Sequence, residues 1–126
     1  MVNAFPSQLV KRQTSFGNCP GFENGPAITD VTLNPDPPKA NSQVEVKGSA
    51  NTNNDIVSGT FFGFEILNDT HKIFSNARGI CDQVNCQIKV FDFDEKYDLE
   101  YLPSSYQVAV FIGPDPNNIL ACGMAQ

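Results

Sequence analysis

Residues 86–101 constrain the fold more than any other part of the chain, because their side chains alternate. From residue 91 onwards the large apolar side chains occupy odd positions: Phe91, Phe93, Tyr97, Leu99 and Tyr101. Successive side chains of a β-strand point to opposite faces, so this pattern predicts a long strand with one buried face. Ile88 and Val90 are apolar at even positions instead. Because the period is two, that slip predicts a bulge or bend near residues 90–91.

Further alternating segments on both sides of this strand predict an all-β chain. They are residues 28–33, 43–47, 56–67, 70–74, 106–112 and 119–124. Nine prolines and nine glycines are spread along the 126 residues, which suits many short strands separated by turns. Proline-rich residues 34–38 must end the first strand, and residues 48–55, rich in Ser, Asn and Thr, are predicted as a loop. The expectation is a β-sandwich of about seven or eight strands.

Length and charge restrict the classes of function. A chain of 126 residues forms one domain with a single core. The formal charge of −6 argues against nucleic acid as a partner, since phosphate binding needs a basic surface. No apolar run is long enough to span a membrane. The first residues also lack the apolar core of a signal peptide, so the protein either stays inside the cell or begins after a removed signal.

The four cysteines favour the second of these possibilities. Their number is even, and no Cys-x-x-Cys or Cys/His spacing suggests zinc or redox chemistry. Four cysteines allow three connectivities, of which Cys81–Cys86 is the easiest closure because only four residues separate the two. That choice leaves Cys19–Cys122 to join the two ends of the chain. The alternative is four buried free thiols.

The N-terminal segment is predicted to differ from the rest of the chain in order. Residues 1–18 are polar and without periodicity, so they are predicted to be a flexible N-terminal segment, and residues 19–126 the folded domain. The dibasic pair Lys11-Arg12 raises the alternative of a pro-segment cleaved after Arg12.

Asn68-Asp-Thr70 is an N-glycosylation sequon at a predicted tight turn, which predicts a glycan on Asn68 at an extracellular surface.

The charged residues offer no site for catalysis. The carboxylates at even positions share a solvated face with Lys96: Asp92, Asp94, Asp98 and Glu100. No glycine-centred, Asp-rich calcium loop accompanies them. His71 is the single histidine, and no nucleophile elbow exists from which a triad could be built. We therefore expect no enzyme activity, no metal and no cofactor.

Several short segments occur in the order found in the ML lipid-recognition domain, which the chain resembles over residues 17–126. They are Asp30-Val-Thr-Leu-Asn-Pro-Asp-Pro-Pro38, Gln43-Val-Glu-Val-Lys-Gly-Ser49, Gly79-Ile-Cys-Asp82, Cys86-Gln-Ile88, Leu102-Pro103, Tyr106-Gln-Val108 and Asn118-Ile-Leu-Ala-Cys122. The fungal phosphatidylglycerol/phosphatidylinositol transfer proteins are the most similar members, followed by the Niemann–Pick type C sterol carriers. The sterol carriers have a further short-range cysteine pair, and residues 34–42 contain none. Gln87 stands where a proline is usual.

The resemblance implies an immunoglobulin-like β-sandwich whose sheets splay around an apolar pocket, with Cys81–Cys86 and Cys19–Cys122 as disulfides. It also implies a secreted or vacuolar/lysosomal monomer that binds a phospholipid of the phosphatidylglycerol/phosphatidylinositol class and transfers it through transient membrane contact. A sterol carrier of the same fold, and a protein-interaction module with a closed core, are the alternatives. The side chains expected to line the pocket are Val31, Leu33, Val44, Val46, Phe62, Phe64, Ile66, Phe91, Phe93, Tyr101, Tyr106, Val108, Val110 and Ile112.

Overall fold

The structure is a computed structural model that describes residues 14–69, 71–81, 86–115 and 118–125. Within these ranges the chain forms seven strands and no helix: β1 (Asp30–Asn34), β2 (Ser42–Ile56), β3 (Phe61–Asn68), β4 (His71–Gly79), β5 (Ile88–Leu99), β6 (Gln107–Gly113) and β7 (Ala121–Ala125). One sheet has the order β1-β2-β5 and the other the order β4-β3-β6-β7, and all pairs are antiparallel. The predicted β-sandwich is confirmed.

Three strand boundaries differ from those predicted by more than two residues. Residues 48–55, predicted as a loop, continue β2. β1 pairs with this strand as far as Ser49, and β5 pairs with it as far as Asn51 and again at Ile56, so available partners outweigh a polar composition. Residues 56–60, predicted to begin a strand, instead lead from the end of β2 into a turn, with Gly59 at a φ of +89°. β4 continues to Gly79 because it pairs along the whole length of β3.

The bulge or bend predicted at residues 90–91 of β5 is found in the partner strand β2 instead, at the matching point of the ladder, and Val90 is 50% exposed. The β2–β5 ladder is regular up to the pair Asn51–Val90, and the next pair is Ile56–Ile88. Five steps along β2 therefore match two steps along β5, so the extra residues lie in β2. Beyond this point, from Phe91 to the end of β5, odd residues are buried and even residues are exposed.

The long side of the sandwich formed by the edge strands β1 and β7 is closed by backbone. The N-terminal segment runs beside β7, where Gly17 N donates to Met124 O at 2.9 Å and Ile28 N donates to Cys122 O at 2.9 Å. The chain then crosses to the other sheet and enters β1 at Asp30. We call the long side between the edge strands β1 and β7 the β1–β7 side. Opening it would require breaking main-chain hydrogen bonds.

Residues 14–18, which the sequence places in the flexible segment, are part of this closure. Phe16 is only 7% exposed and belongs to the core. Residues 1–13 lie outside the described residues, and Lys11-Arg12 with them.

Both disulfides are confirmed. Cys19–Cys122 has a Cα–Cα distance of 5.7 Å and Cys81–Cys86 one of 5.4 Å, and no free cysteine remains among the described residues. The alternative of four free thiols is therefore wrong. Cys19–Cys122 adds a covalent link to the β1–β7 side, because it ties the N-terminal segment to β7.

Asp69 and Gln87 are two of the three non-glycine residues that adopt the left-handed conformation within the described ranges. Asp69 has a φ of +57°, which confirms the predicted turn after Asn68. Glycosylation of Asn68 stays a prediction, and Thr70 lies outside the described residues. Gln87 has a φ of +68° and its N–H donates to Ile56 O. Proline has neither that φ nor an N–H, so Gln87 suits this backbone where the usual proline of the resembled family would not.

Candidate functional site

The opposite long side of the sandwich, formed by the edge strands β4 and β5, is closed by side chains. β4 pairs with β3 alone and β5 with β2 alone. Across the gap, the Arg78 guanidinium of β4 forms a hydrogen-bonded ion pair with the Glu95 carboxylate of β5. The rings of Phe74 on β4 and Tyr97 on β5 also meet, with centroids 5.6 Å apart. We call this the β4–β5 side. Rotation of side chains alone could open it.

A β-bulge in β4 shapes this side. Ile66 of β3 opposes Phe74, but the next residue, Leu67, opposes Lys72, so Ile73 is an extra residue in β4. Such a bulge bends the strand and changes the direction of its side chains. Ile73 and Phe74 are both half-buried and pack against the core. A surface depression of about 210 Å³ lies beside them, lined by Ile73, Phe74, Asp98, Leu99, Glu100 and Tyr101.

Behind the β4–β5 side, aromatic rings of the two sheets are in contact. Phe64 of β3 stacks on Tyr97 of β5 with ring centroids 4.7 Å apart. Phe62 of β3 meets Phe93 at 4.6 Å and Phe91 at 5.8 Å. Such pairs contribute about 0.5–1.5 kcal/mol each beyond the burial of their area. A ligand that reaches this part of the interior must displace these rings.

Tyr97 brings a polar group into this apolar region. Its side chain is 6% exposed, and its hydroxyl has no hydrogen-bond partner among the described residues. Burial, reinforced by the nearby Glu95 carboxylate and opposed by Arg78, raises the pKa of Tyr97, so the phenol is neutral at physiological pH. A buried hydroxyl without a partner costs about 1–3 kcal/mol. The Tyr97 hydroxyl is therefore available to a polar group that enters between the sheets.

Glu95 is the second polar group on the inner face of β5. It lies between Phe93 and Tyr97 in the alternation of that strand and is 9% exposed. A buried carboxylate is stable only when it is paired, and here its partner Arg78 keeps 46% of its side chain exposed. Sequence reasoning missed both residues as functional candidates. The signal existed, because residue 95 is odd and in phase with the buried aromatic residues.

The structure brings most of the predicted lining residues together. Twelve of the fourteen are buried in the core between the sheets: Val31, Leu33, Val44, Val46, Phe62, Phe64, Ile66, Phe91, Phe93, Val108, Val110 and Ile112. Tyr106 is half-buried and packs against them, and burial raises its pKa. Their contact with a lipid stays a prediction.

Tyr101 is the exception. It was expected to face inward because it continues the odd-numbered apolar run, but it is 62% exposed. β5 ends at Leu99, and the alternation of side chains ends with the strand. The inward orientation of Tyr101 is therefore wrong, and this side chain lies instead at the rim of the depression beside Phe74.

The charged outer surface has the predicted form. Asp92, Asp94, Lys96 and Asp98 alternate as exposed residues along β5, and Glu100 and His71 are exposed as well. Within the part of the chain that the structure describes, no group of three or more His, Cys, Asp or Glu side chains is placed to bind a metal. The same residues include no helix long and apolar enough to cross a membrane.

Comparison with known proteins shows the fold and not a family. No protein-family model matches the chain, and no curated protein matches it in sequence. Among solved structures, it is similar to the crystal structure of chicken MD-1 complexed with lipid IVa. The two chains are 10% identical with a TM-score of 0.52, and the similarity covers 87% of this chain and 85% of MD-1. The β-sandwich is therefore a fold that the two proteins share.

Proposed function

We propose that this chain is a lipid-binding protein that holds a lipid between its two sheets and transfers it between membranes. The observation that carries the proposal is the unequal closure of the sandwich. An aromatic interior is closed by backbone at the β1–β7 side and by side chains at the β4–β5 side. A lipid can therefore enter without breaking a sheet, and it gains about 0.8 kcal/mol for each methylene taken out of water.

The comparisons support a lipid as the ligand. MD-1, which shares the fold, was crystallised in complex with lipid IVa. The ordered segments that resemble the ML domain point the same way. Within that class we propose a phospholipid of the phosphatidylglycerol/phosphatidylinositol type, with a sterol as the alternative, because the third cysteine pair of the sterol carriers is missing.

The disulfides support a proposal on the compartment of the protein, and the net charge supports one on how it delivers a lipid to membranes. Two disulfides are typical of proteins in an oxidising compartment, which supports a secreted protein or one in the vacuolar or lysosomal lumen. A net charge of −6 weakens electrostatic attraction to anionic membranes. We therefore propose that the protein touches membranes only transiently during transfer; the monomeric state stays a prediction.

The test is native mass spectrometry after incubation with phosphatidylglycerol vesicles and with sterol-containing vesicles, followed by extraction and identification of the lipid. The wild-type protein should gain the mass of one lipid. Phe74→Ala, which removes a ring from the β4–β5 side, should load several times faster. Phe61→Ala is the matched control, because Phe61 is 40% exposed on the outer face of β3.

Two outcomes would contradict the proposal. A wild-type mass that stays at that of the polypeptide with both vesicles contradicts lipid binding. Equal loading rates for the two variants contradict entry of the lipid through the β4–β5 side.

One observation favours a second candidate function. The rings of Phe62 and Phe64 already meet those of β5 across the interior, as they would in a protein-interaction module with a closed core. Such a module would bind no lipid in the same experiment. The absence of enzyme activity stays a prediction under either function.

A further inference from the structure

Two polar groups lie together just inside the β4–β5 side, and a third reaches one of them from the surface. The Glu95 carboxylate and the Tyr97 hydroxyl belong to neighbouring inward positions of β5, and the Arg78 guanidinium reaches Glu95 from β4. Aromatic rings surround the Tyr97 side chain, since Phe64 stacks on it and the edge of Phe74 contacts it. A pair of polar groups thus lies within an otherwise apolar wall.

These groups lie one side chain below the surface. Phe74 contacts Tyr97 on its inner side and lines the surface depression on its outer side. Displacement of the Phe74 ring would therefore connect the depression with the Tyr97 side chain. A lipid entering there would have its polar end beside Glu95 and Tyr97 and its apolar part among the rings deeper inside.

Resting on the lipid-binding function proposed above, we propose that Tyr97 and Glu95 form a binding site for a hydroxyl group of the lipid. The Tyr97 hydroxyl, which has no partner among the described residues, donates to the oxygen of the ligand hydroxyl. That hydroxyl donates in turn to the Glu95 carboxylate. A carboxylate has about four lone-pair sites, so Glu95 can accept this bond and remain paired with Arg78. A hydroxyl group matches both partners because it accepts and donates.

Other polar groups fit this pair less well. A phosphate only accepts hydrogen bonds and carries negative charge, so it would be repelled by the buried Glu95 carboxylate. The Arg78 charge is already engaged by Glu95, and Asp98 and Glu100 line the adjacent depression. An ammonium group could donate to Glu95 but could not accept from Tyr97. The hydroxyl could belong to a neutral lipid alcohol or to the headgroup of a phospholipid such as phosphatidylglycerol.

Two matched pairs of pyrene-labelled probes test the site and distinguish these sources. The neutral pair is pyrenedodecanol and its methyl ether. The phospholipid pair is phosphatidylglycerol and phosphatidylmethanol, which carry the same charge but differ in the headgroup hydroxyls. Binding to the wild-type protein, Tyr97→Phe and Ser75→Ala is measured by pyrene fluorescence. Tyr97→Phe keeps the ring that stacks on Phe64, and Ser75→Ala removes a hydroxyl that bonds to Glu65 on the outer face of β4.

The wild-type protein should bind the hydroxyl member of at least one pair about tenfold more tightly than its capped partner, as expected for a hydroxyl that both donates and accepts. The pair that shows this preference identifies the source of the hydroxyl. Tyr97→Phe should bind the hydroxyl member roughly threefold to fivefold more weakly than the wild-type protein does, because one neutral hydrogen bond is removed. Ser75→Ala should bind it as tightly as the wild-type protein does.

Different failures separate the two proposals. Equal binding of both members in both pairs, or wild-type affinity of Tyr97→Phe for the hydroxyl member, overturns the hydroxyl site and leaves lipid binding standing. Binding of none of the four probes overturns the proposed function, and the hydroxyl site with it.

The role of the Glu95 charge has its own variant. Glu95→Gln keeps the size of the side chain, removes its charge and frees Arg78. Pyrenedodecanoate, an anion of the same chain length as the alcohol probe, should then bind about tenfold more tightly than to the wild-type protein. Unchanged binding of this anion would show that the Glu95 carboxylate does not select against negative charge.

Discussion

The ring of Tyr97 lies parallel to that of Phe64, with centroids 4.7 Å apart and an interplanar angle of 2°. The stack joins β5 of one sheet to β3 of the other. The same Tyr97 side chain carries a buried hydroxyl that has no partner among the described residues. One residue therefore combines a ring that stabilises the sandwich with a hydroxyl that destabilises it.

Tyr97→Phe should stabilise the protein. The variant keeps the stack on Phe64 and removes the hydroxyl, whose burial without a hydrogen bond is unfavourable. We expect the free energy of unfolding to rise by about 1 kcal/mol, and the midpoint of thermal unfolding by roughly 4 °C for a domain of this size. Urea and thermal unfolding followed by circular dichroism measure both quantities.

Tyr101→Phe is the control for this comparison. The Tyr101 side chain is 62% exposed, so its hydroxyl is solvated and its removal should change stability by less than about 0.5 kcal/mol. A loss of stability in Tyr97→Phe would show that the hydroxyl has a partner in the folded protein.

The raised pKa of Tyr97 predicts a weaker fold at alkaline pH. Burial makes the folded protein hold the phenol proton more tightly than the unfolded chain does, and the unfolded chain loses this proton near pH 10, at about the ordinary tyrosine pKa. The contribution of Tyr97 is therefore complete below pH 10 and is lost as the pH rises above it, at up to about 1.4 kcal/mol per pH unit. Urea unfolding between pH 8 and pH 11 should show this decline in the wild-type protein.

The Tyr97→Phe variant serves as the reference for the alkaline decline. It should lose stability less steeply above pH 10, because it lacks the phenol that titrates. Tyr106, whose pKa is also raised by burial, is present in both proteins and cancels in the difference. Parallel curves for the two proteins would mean that Tyr97 ionises as readily in the folded protein as in the unfolded chain.

The fold could be predicted from the sequence because alternation records burial directly. The run from Phe91 to Leu99 predicted the inner face of β5. Val90, an apolar residue out of phase with this run, was interpreted as a bulge near residues 90–91, but it is exposed and the irregularity of the ladder lies in β2. The loop predicted for residues 48–55 was wrong because side-chain polarity does not report whether a strand has partners on both edges. β2 pairs with β1 as far as Ser49 and with β5 as far as Asn51, and it continues through residues 52–55 to the next pair, Ile56 with Ile88.

The candidate site could be predicted only in part. Periodicity identified the buried apolar residues, but it could not show that β4 and β5 would face each other across the sandwich, since that depends on sheet order. The Arg78–Glu95 pair and the unpartnered Tyr97 hydroxyl can be recognised only when the order of the strands in the two sheets is known. Tyr101 shows the converse limit, because a periodic pattern does not say where its strand ends.

The two disulfides should differ in their contribution to stability. Cys19–Cys122 links residues 103 positions apart and Cys81–Cys86 residues 5 positions apart. In the chain-entropy model, the longer closure stabilises by roughly 4–5 kcal/mol and the shorter by roughly 2 kcal/mol. Urea unfolding of the double variants Cys19→Ser with Cys122→Ser and Cys81→Ser with Cys86→Ser compares them. Equal losses, or a larger loss for the short loop, would contradict the assignment of Cys19–Cys122 as the main covalent support of the β1–β7 side.

Gly123→Ala should disrupt the β1–β7 side. A Cβ at this position would lie 2.1 Å from the main-chain oxygen of Ile28, and this backbone cannot move freely because Ile28 N bonds to Cys122 O and its side chain is fully buried. We expect the free energy of unfolding to fall by roughly 2–3 kcal/mol, as in other overpacked sites. Urea unfolding measures the change.

Gly63→Ala separates this effect from simple crowding. Its Cβ would lie as close, 2.2 Å, to a neighbour, but that neighbour is the ring of Phe111, a half-buried side chain that can rotate away. The expected loss is below about 1 kcal/mol, since the lower flexibility of alanine in the unfolded chain offsets part of the strain. If Gly63→Ala lost as much stability as Gly123→Ala, the close approach of the Ile28 backbone to β7 would not be what holds this side of the sandwich closed.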